Sequence, residues 1–287
     1  MRVRELTPSG RTSIAHLPTG IDLYYEVHGQ GEPLVLIPST GFGCNVWHPH
    51  QVPELSKHLQ LIIFDPRGCG RSGKPKRVYT IEQMACDVVE LLHHLAIDSA
   101  HVLGHSMGGR IALSMALDVP GCVKSLILAA SGSGAAARPG SDCVPGVPYW
   151  LVDELATLGF EGNLRREYVE STSFFTADFT NSHAGFVNDF LKMALEQHAA
   201  QPEYIRMVLA RHSFEATHRL GDVTAPTLVL VGDEDVIGAG HSAQSDVLRS
   251  RIPNATFKSL RGQSHGFFWQ APQETNAVIV DWVLSHK

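Results

Sequence analysis

A serine held between glycines is the pattern in this chain with the clearest chemical meaning. Residues 104–109 read Gly-His-Ser-Met-Gly-Gly and match G-x-S-x-G, a sharp turn from strand to helix whose strained backbone exposes the serine hydroxyl. Glycine is needed on both sides, because a side chain at Gly104 or Gly108 would collide across so tight a turn. The pattern therefore predicts that Ser106 is a nucleophile.

The sequence around Ser106 supplies the context that this turn requires. Residues 100–103, Ala-His-Val-Leu, form a short apolar run that predicts a strand. Downstream, apolar residues recur at the spacing of a helix that faces a core, at Ile111, Ala112, Met115, Ala116 and Val119. The alternative is a glycine-rich loop in a fold of another kind.

A serine hydroxyl is a weak nucleophile at neutral pH, so a base and a group that orients the base must come from elsewhere. His265 follows a weak strand pattern at 256–260, and Asp233, Glu234 and Asp235 follow an apolar run at 227–231. His265 would accept the proton of Ser106 at one ring nitrogen, while a carboxylate holds the other nitrogen. The alternative is that His265 is a structural loop histidine. His105 is interpreted as a packing residue.

Strand patterns and helix patterns alternate along most of the chain. Apolar runs typical of strands occupy 21–27, 34–37, 61–64, 100–103, 123–128, 227–231 and 256–260, and helix patterns occupy 52–59, 81–95, 241–251 and 272–285. Thr80 and Gln83 offer a capping box for the helix at 81–95. The alternation predicts an α/β fold with a mostly parallel central sheet and helices on both faces. The carboxyl ends of the strands meet at one edge, which would gather the candidate residues.

The alternation stops after Ala130 and resumes at Thr227. We expect a core of residues 1–133 and 215–287, with a helical lid or cap, residues 134–214, inserted between two strands. Trp150 of this segment is a predicted substrate contact. The segment's aromatic residues could line a pocket or form the core of the lid itself, and they include Trp150, Phe160, Phe174, Phe175, Phe179, Phe186 and Phe190.

Composition excludes several classes of function. The net charge of −6 without a cluster of basic residues argues against a nucleic-acid partner or an anionic membrane surface. We find no signal peptide or membrane span in the sequence and expect the cytoplasm. The five cysteines are scattered without C-x-x-C spacing, which favours reduced thiols. Neither His93 with His94 nor His101 with His105 forms a ligand set, so no metal is expected.

Further motifs, in a fixed order, make the chain resemble the α/β-hydrolase superfamily over nearly its whole length. Residues 64–72, Phe-Asp-Pro-Arg-Gly-Cys-Gly-Arg-Ser, resemble the superfamily's D-x-R-G-x-G-x-S loop. The order Ser106, acid, His265 is also that of the superfamily. The resemblance implies a catalytic triad, and the usual G-x-x-D spacing selects Asp235 as its acid.

The resemblance also implies an oxyanion hole made of two backbone N–H groups. One donor is Met107. The other belongs to residues 38–43, Pro-Ser-Thr-Gly-Phe-Gly, where relatives resemble H-G-x-G. Alignment on the glycines indicates the N–H of Phe42, with Thr40 in place of the usual histidine. Gly41 or Thr40 could contribute instead, and both are predicted substrate contacts.

The chain is similar to the 3-oxoadipate enol-lactonase type and to small carboxylesterases. This similarity implies a cofactor-free serine hydrolase that cleaves an ester or lactone of a small, largely apolar molecule through an acyl-enzyme. A C–C bond hydrolase and a cofactor-free perhydrolase share the triad, and a ligand-binding receptor could retain it. Dehalogenases and epoxide hydrolases would need aspartate at Ser106. Oligomeric state stays open, a homodimer included. Arginines that could bind a substrate carboxylate, or lie solvated at the surface, are Arg138, Arg165, Arg166, Arg206 and Arg211.

Overall fold

A central sheet of eight strands forms the frame of the molecule. The computed structural model describes residues 10–134, 149–237 and 241–287 of the chain. The strand order across the sheet is β1-β2-β4-β3-β5-β6-β7-β8. The strands are β1 (Arg11–Leu17), β2 (Ile21–His28), β3 (Pro33–Ile37), β4 (Gln60–Phe64), β5 (Ala100–His105), β6 (Val123–Ala129), β7 (Thr227–Gly232) and β8 (Ala255–Leu260).

The sheet is mostly parallel, as predicted. Strands β4, β3, β5, β6, β7 and β8 pair in parallel, whereas β1 and β2 pair antiparallel with each other and β2 pairs antiparallel with β4. All six residues of β5 and of β7 are buried, which explains why these strands read as continuous apolar runs. The predicted fold class, an α/β-hydrolase fold, is confirmed.

Helices in the described ranges connect most of these strands. They are α1 (Gln51–Leu55), α2 (Ile81–His94), α3 (Met107–Asp118), α4 (Tyr149–Arg165), α5 (Ala177–Ser182), α6 (Ala184–Glu196), α7 (Gln201–Ser213), α8 (His241–Arg251), α9 (Phe267–Gln270) and α10 (Pro272–Ser285). Thr80 caps α2 by accepting a hydrogen bond from the N–H of Gln83. Within the described residues, no helix is long and apolar enough to cross a membrane.

Helices α4 to α7 lie between β6 and β7, where the sequence predicted an inserted segment. We call residues 149–213 the helical insertion. At its base, Gly134 forms an isolated antiparallel bridge with Glu215. A π-helical turn, Arg166–Glu170, continues α4, and Gly159 interrupts α4 with a φ of 69°. The insertion thus leaves and rejoins the sheet at closely spaced points.

Candidate active site

Ser106 occupies the turn between β5 and α3. Its φ of 56° and ψ of −115° lie outside the helical and extended regions, a strained conformation that persists because neighbouring groups hold it. The N–H of Ser106 donates to the carbonyl of Ala129 at 2.8 Å, and its carbonyl accepts from the hydroxyl of Ser131 at 2.7 Å. Hydrogen bonds with the end of β6 and the residues just after it therefore hold the backbone around the candidate nucleophile.

The glycines of this turn have no room for a side chain. A Cβ on Gly104 would overlap the backbone of Gly108, and a Cβ on Gly108 would overlap the carbonyl oxygens of Ile37 and Pro38. These obstacles are backbone atoms, which cannot turn aside as a flexible side chain can. The glycine requirement inferred from the sequence has this physical cause.

We expect Gly108→Ala to lower the free energy of unfolding by about 3 kcal/mol or more, because the added methyl group forces the turn and β3 apart. Urea unfolding followed by circular dichroism would measure the loss. Gly185→Ala is the matched control, since nothing lies within 4 Å of a Cβ at that position in α6, and we expect a change of at most about 1 kcal/mol there. Equal stabilities of the two variants would contradict the steric account.

His265 and Asp235 form a buried pair at the carboxyl ends of β8 and β7. Nδ1 of His265 lies 2.8 Å from Oδ2 of Asp235, and both residues are at most 3 % exposed. Oδ1 of Asp235 accepts a hydrogen bond from the N–H of Ile237 at 3.0 Å. Asp233 is exposed and accepts from the N–H of Gly262 instead. Of the two aspartates, the structure thus brings Asp235 to His265.

His105 connects the turn that contains Ser106 to the loop that contains His265. Its Nε2 lies 3.0 Å from the carbonyl oxygen of His265, and the two ring centroids are 4.7 Å apart. Burial lowers the pKa of His105 well below its usual value, so the ring is neutral and Nε2 carries the proton that it donates to this carbonyl. The sequence indicated packing for His105, and the structure adds a hydrogen bond to the backbone of His265.

Burial also lowers the pKa of His265 below its ordinary value, and the positive charge of Arg211 acts in the same direction. The hydrogen bond to Asp235 opposes both, because a carboxylate favours the imidazolium form. At neutral pH the ring is therefore uncharged, with Nδ1 donating to Asp235 and Nε2 able to accept a proton. A neutral imidazole in this state is a competent general base.

The candidate oxyanion loop, residues 38–43, follows β3. Met107 is the first residue of α3, so its N–H has no acceptor within the helix and lies at the positive end of the helix dipole. The N–H of Phe42 donates to the carbonyl of Ser39 at 3.2 Å and closes a turn around Gly41, whose φ is 81°. The donor indicated by the sequence is therefore already engaged inside the loop in this structure. Thr40 is 3 % exposed.

The helical insertion contacts the candidate oxyanion loop directly. The N–H of Ala199 donates to the carbonyl of Gly41 at 2.7 Å, and a Cβ on Gly41 would overlap the imidazole of His198. Nη1 of Arg211 donates to the hydroxyl of Thr40 at 3.2 Å. Sequence reasoning missed His198 and Ala199, because no local pattern marks a contact between residues more than 150 positions apart.

Phe174 of the insertion contacts His265 and belongs to an aromatic cluster that the insertion shares with the core. The ring centroid of Phe174 lies 5.8 Å from that of His265, 6.0 Å from Phe42 and 5.6 Å from Trp269. Phe190 lies 4.8 Å from Trp269. Phe174 thus contacts the candidate base, whereas Phe190 packs against Phe174 with a centroid distance of 5.7 Å. Trp150 lies in α4, but its side chain is outside the described part of the chain.

The D-x-R-G-x-G-x-S loop supports the far end of the oxyanion loop. Oδ1 of Asp65 accepts from the N–H of Cys44 at 2.8 Å, and Oδ2 accepts from Nε of Arg71 at 2.9 Å. The other arginine of the motif, Arg67, forms an ion pair with Asp87 through Nε at 2.6 Å and Nη2 at 2.7 Å. This motif positions backbone rather than substrate.

Three residues of types that can bind a metal ion lie close together beside Asp65 and Arg71 of this loop. One ligand atom each from Glu26, Cys44 and His48 falls within 4.8 Å of the others. Glu26 already accepts hydrogen bonds from His28 and His48 at 2.8 Å, and a nitrogen of Arg71 lies 3.5 Å from its carboxylate and 3.2 Å from the sulfur of Cys44. The guanidinium takes the place that a cation would need, so the cluster fits an internal ion-pair network.

The five arginines named from the sequence occupy different settings. Arg165 and Arg166 are exposed, and Arg166 pairs with Glu154 at 2.9 Å. Arg206 pairs with Glu203 at 2.9 Å. Arg138 lies outside the described residues, as does Cys143, whereas Cys44, Cys69, Cys86 and Cys122 are free thiols. Among the four described arginines of this set, Arg211 is the one that contacts the candidate oxyanion loop.

Comparison with known proteins finds similarity to hydrolases. A putative carbamate hydrolase, RutD, of Variovorax paradoxus is 33 % identical over 220 residues, which cover 75 % of this chain and 79 % of that protein. RutD of Azorhizobium caulinodans, named in the same way, is 27 % identical over 281 residues, covering 90 % and 94 %. The crystal structure of the enol-lactonase from Burkholderia xenovorans LB400 superposes with a TM-score of 0.81 at 26 % identity, over 95 % of this chain and 100 % of that one.

The sequence pattern of one family extends across nearly the whole chain. Residues 32–272 match the family described as alpha/beta hydrolase fold, a span that begins just before β3 and ends at the start of α10. This span contains the turn at Ser106, the candidate oxyanion loop and the pair formed by Asp235 and His265. The chain belongs to the α/β-hydrolase fold family.

Proposed function

We propose that this protein is a cofactor-free serine hydrolase that cleaves a carboxylic ester or lactone of a small, largely apolar molecule through an acyl-enzyme. The observation that carries the proposal is the buried pair of His265 and Asp235, 2.8 Å apart. His105, the neighbour of Ser106 in the chain, contacts His265 through both its ring and its hydrogen bond. Ser106, Asp235 and His265 follow the carboxyl ends of the parallel strands β5, β7 and β8, and this arrangement supports the proposal.

In the proposed reaction, Nε2 of His265 accepts the proton of Ser106 as the serine oxygen attacks the substrate carbonyl. Asp235 holds the Nδ1–H of His265 and stabilises the imidazolium that forms. The N–H of Met107 and one N–H of residues 38–43 stabilise the oxyanion, each contributing about 3 kcal/mol. If the donor is Phe42, its bond to Ser39 is shared or released when substrate binds.

His265 then returns its proton to the leaving group, which gives an acyl-enzyme on Ser106. In the second half of the cycle His265 takes a proton from water as the water oxygen attacks the acyl carbonyl. His265 then returns that proton to the oxygen of Ser106, which leaves as the acid is released. The carbonyl carbon is never oxidised or reduced, so the cycle needs no redox cofactor.

The character of the site supports a small acyl substrate. Phe174, Phe190 and Trp269 give it an apolar wall, and relatives of the chain are named enol-lactonase and putative carbamate hydrolase. An ester, a lactone and a carbamate share a carbonyl that a serine can attack. We propose that helices α4 to α7 act as a lid over this wall.

A substrate panel tests the proposal. It contains 4-nitrophenyl butyrate, an aryl lactone, a phenyl carbamate and a vinylogous diketone, each incubated with the wild-type protein and with Ser106→Ala. We expect turnover of the ester or the lactone that disappears in the variant. Cleavage of the diketone alone would favour a C–C bond hydrolase instead. If the panel compounds at saturating concentration shift the helical insertion but are not turned over, a ligand-binding receptor would be favoured over a hydrolase.

The pH dependence of kcat/KM should report the protonation of His265. The base works only when it is neutral, so activity falls as pH falls through its pKa and is level above it. Because burial lowers that pKa, we expect the midpoint of the acid limb below the ordinary histidine value of about 6.5. Rates measured from pH 4 to 9, with circular dichroism at each pH to confirm folding, would show this. A midpoint above pH 7 would contradict the assignment.

A further inference from the structure

We propose that Arg211 binds a carboxylate of the substrate, so that the preferred substrates are esters or lactones that carry a negative charge close to the scissile carbonyl. This inference rests on the proposed hydrolase function and narrows its substrate class. It is based on the position of Arg211 beside the candidate oxyanion loop. In addition, no carboxylate of the described residues forms an ion pair with Arg211, and two nitrogens of its guanidinium lack a strong hydrogen-bond acceptor.

Arg211 lies where the insertion meets the catalytic groups. It is near the end of α7, and its Nη1 donates to the buried hydroxyl of Thr40 at 3.2 Å. Thr40 precedes Gly41 and Phe42 in the candidate oxyanion loop. The charge of Arg211 is also one of the two influences that lower the pKa of His265. The guanidinium is therefore close both to the loop that faces the oxyanion and to the candidate base.

Arg211 has no directly bonded anion within the described ranges of the chain. No carboxylate there forms an ion pair with it. Glu167 interacts with Arg211 electrostatically, and its carboxylate also accepts a hydrogen bond from the hydroxyl of Tyr204 at 2.9 Å. Burial raises the pKa of Glu167, whereas Arg211 and the hydroxyl of Tyr204 act in the opposite direction. A half-buried cation without an anion is costly, and sites that bind an anion commonly contain one.

One edge of the guanidinium lacks a strong hydrogen-bond acceptor. Nη1 is used by Thr40, Nε is buried without a hydrogen-bond acceptor, and Nη2 has a 3.4 Å contact with a ring nitrogen of His212. Nε and Nη2 together form the fork that arginine presents to a carboxylate. Arg67 uses the same two nitrogens to bind Asp87. A substrate carboxylate on Arg211 would complete the equivalent arrangement.

The proposal predicts a preference for charged substrates that depends on Arg211. Two substrate pairs differ in a carboxylate: mono-4-nitrophenyl glutarate against 4-nitrophenyl butyrate, and 3-carboxyphenyl butyrate against phenyl butyrate. In at least one pair the wild-type protein should favour the charged ester in kcat/KM. Arg211→Gln should lower that charged-to-neutral ratio by about 10- to 100-fold, mainly through KM, the range expected for a charge-assisted hydrogen bond. Arg211→Lys, which keeps the charge but loses the fork, should fall between them.

Arg206→Gln is the matched control. Arg206 lies on the same helix and pairs with Glu203 rather than with the oxyanion loop, so the same charge is removed from the protein without touching the site. The ratio should stay within about twofold of wild type in this variant. A ratio that is unchanged in Arg211→Gln, or that falls equally in Arg206→Gln, would overturn the proposal.

A binding measurement separates this inference from the hydrolase proposal. Glutarate is titrated by calorimetry into Ser106→Ala and into Ser106→Ala with Arg211→Gln, so that no turnover is needed. We expect binding at least about tenfold weaker in the double variant. Equal affinities would contradict the role of Arg211 even if esters are hydrolysed. If the wild-type protein hydrolyses no ester but glutarate binding depends on Arg211, the hydrolase proposal fails and the anion site stands.

Discussion

Ser106→Ala should reduce kcat/KM for the best ester or lactone by about 10⁴-fold or more, because the oxygen that forms the acyl-enzyme is removed. Rates of the purified variant on the best substrate of the panel would measure the loss. Binding of a substrate analogue should persist, since the walls of the site are unchanged.

Ser114→Ala is the matched control for this experiment. Ser114 is also buried and lies on α3, but its hydroxyl donates a hydrogen bond to Asp118 at 2.9 Å. We expect activity within about threefold of wild type there, which corresponds to less than about 1 kcal/mol. A Ser106→Ala protein that is folded and retains more than a tenth of wild-type activity would show that another residue is the nucleophile.

Asp235→Asn should reduce kcat/KM by about 10³- to 10⁴-fold, because an amide cannot stabilise the imidazolium and holds the ring of His265 in the wrong tautomer. Steady-state rates on the same substrate would measure this loss. Asp233→Asn removes the same charge two residues away, from a side chain that is exposed and hydrogen-bonded to Gly262, and we expect less than about a fivefold change. Equal losses in the two variants would mean that the acid is assigned to the wrong residue.

The architecture could be predicted from the sequence where burial leaves a strong pattern. Strands β5 and β7 are buried along their whole length and were expected from their apolar runs. β1 was missed, because most of its residues are exposed at the edge of the sheet and polar side chains there resemble a loop. The helix expected at 52–59 is shorter, since α1 ends at Leu55 and the following residues form turns.

The candidate site could be predicted to the extent that its residues lie in motifs. Ser106, Asp235 and His265 were each marked by a short local pattern at the end of a strand, and their catalytic roles stay predictions. The contacts of Arg211 and Ala199 with the oxyanion loop were not foreseeable, because they join residues 158 to 171 positions apart. The bond from Phe42 to Ser39 depends on the backbone conformation around Gly41, which sequence alone does not specify.

The central claim is that Ser106 is a nucleophile activated by His265, and labelling with a fluorophosphonate tests it most directly. Such a reagent phosphonylates an activated serine, and mass spectrometry of the digested protein identifies the modified residue. We predict a single label on Ser106, its loss in Ser106→Ala, and labelling slowed by about 10³-fold or more in His265→Ala. A label on another residue, no label on the folded wild-type protein, or labelling at an unchanged rate without His265 would contradict the account.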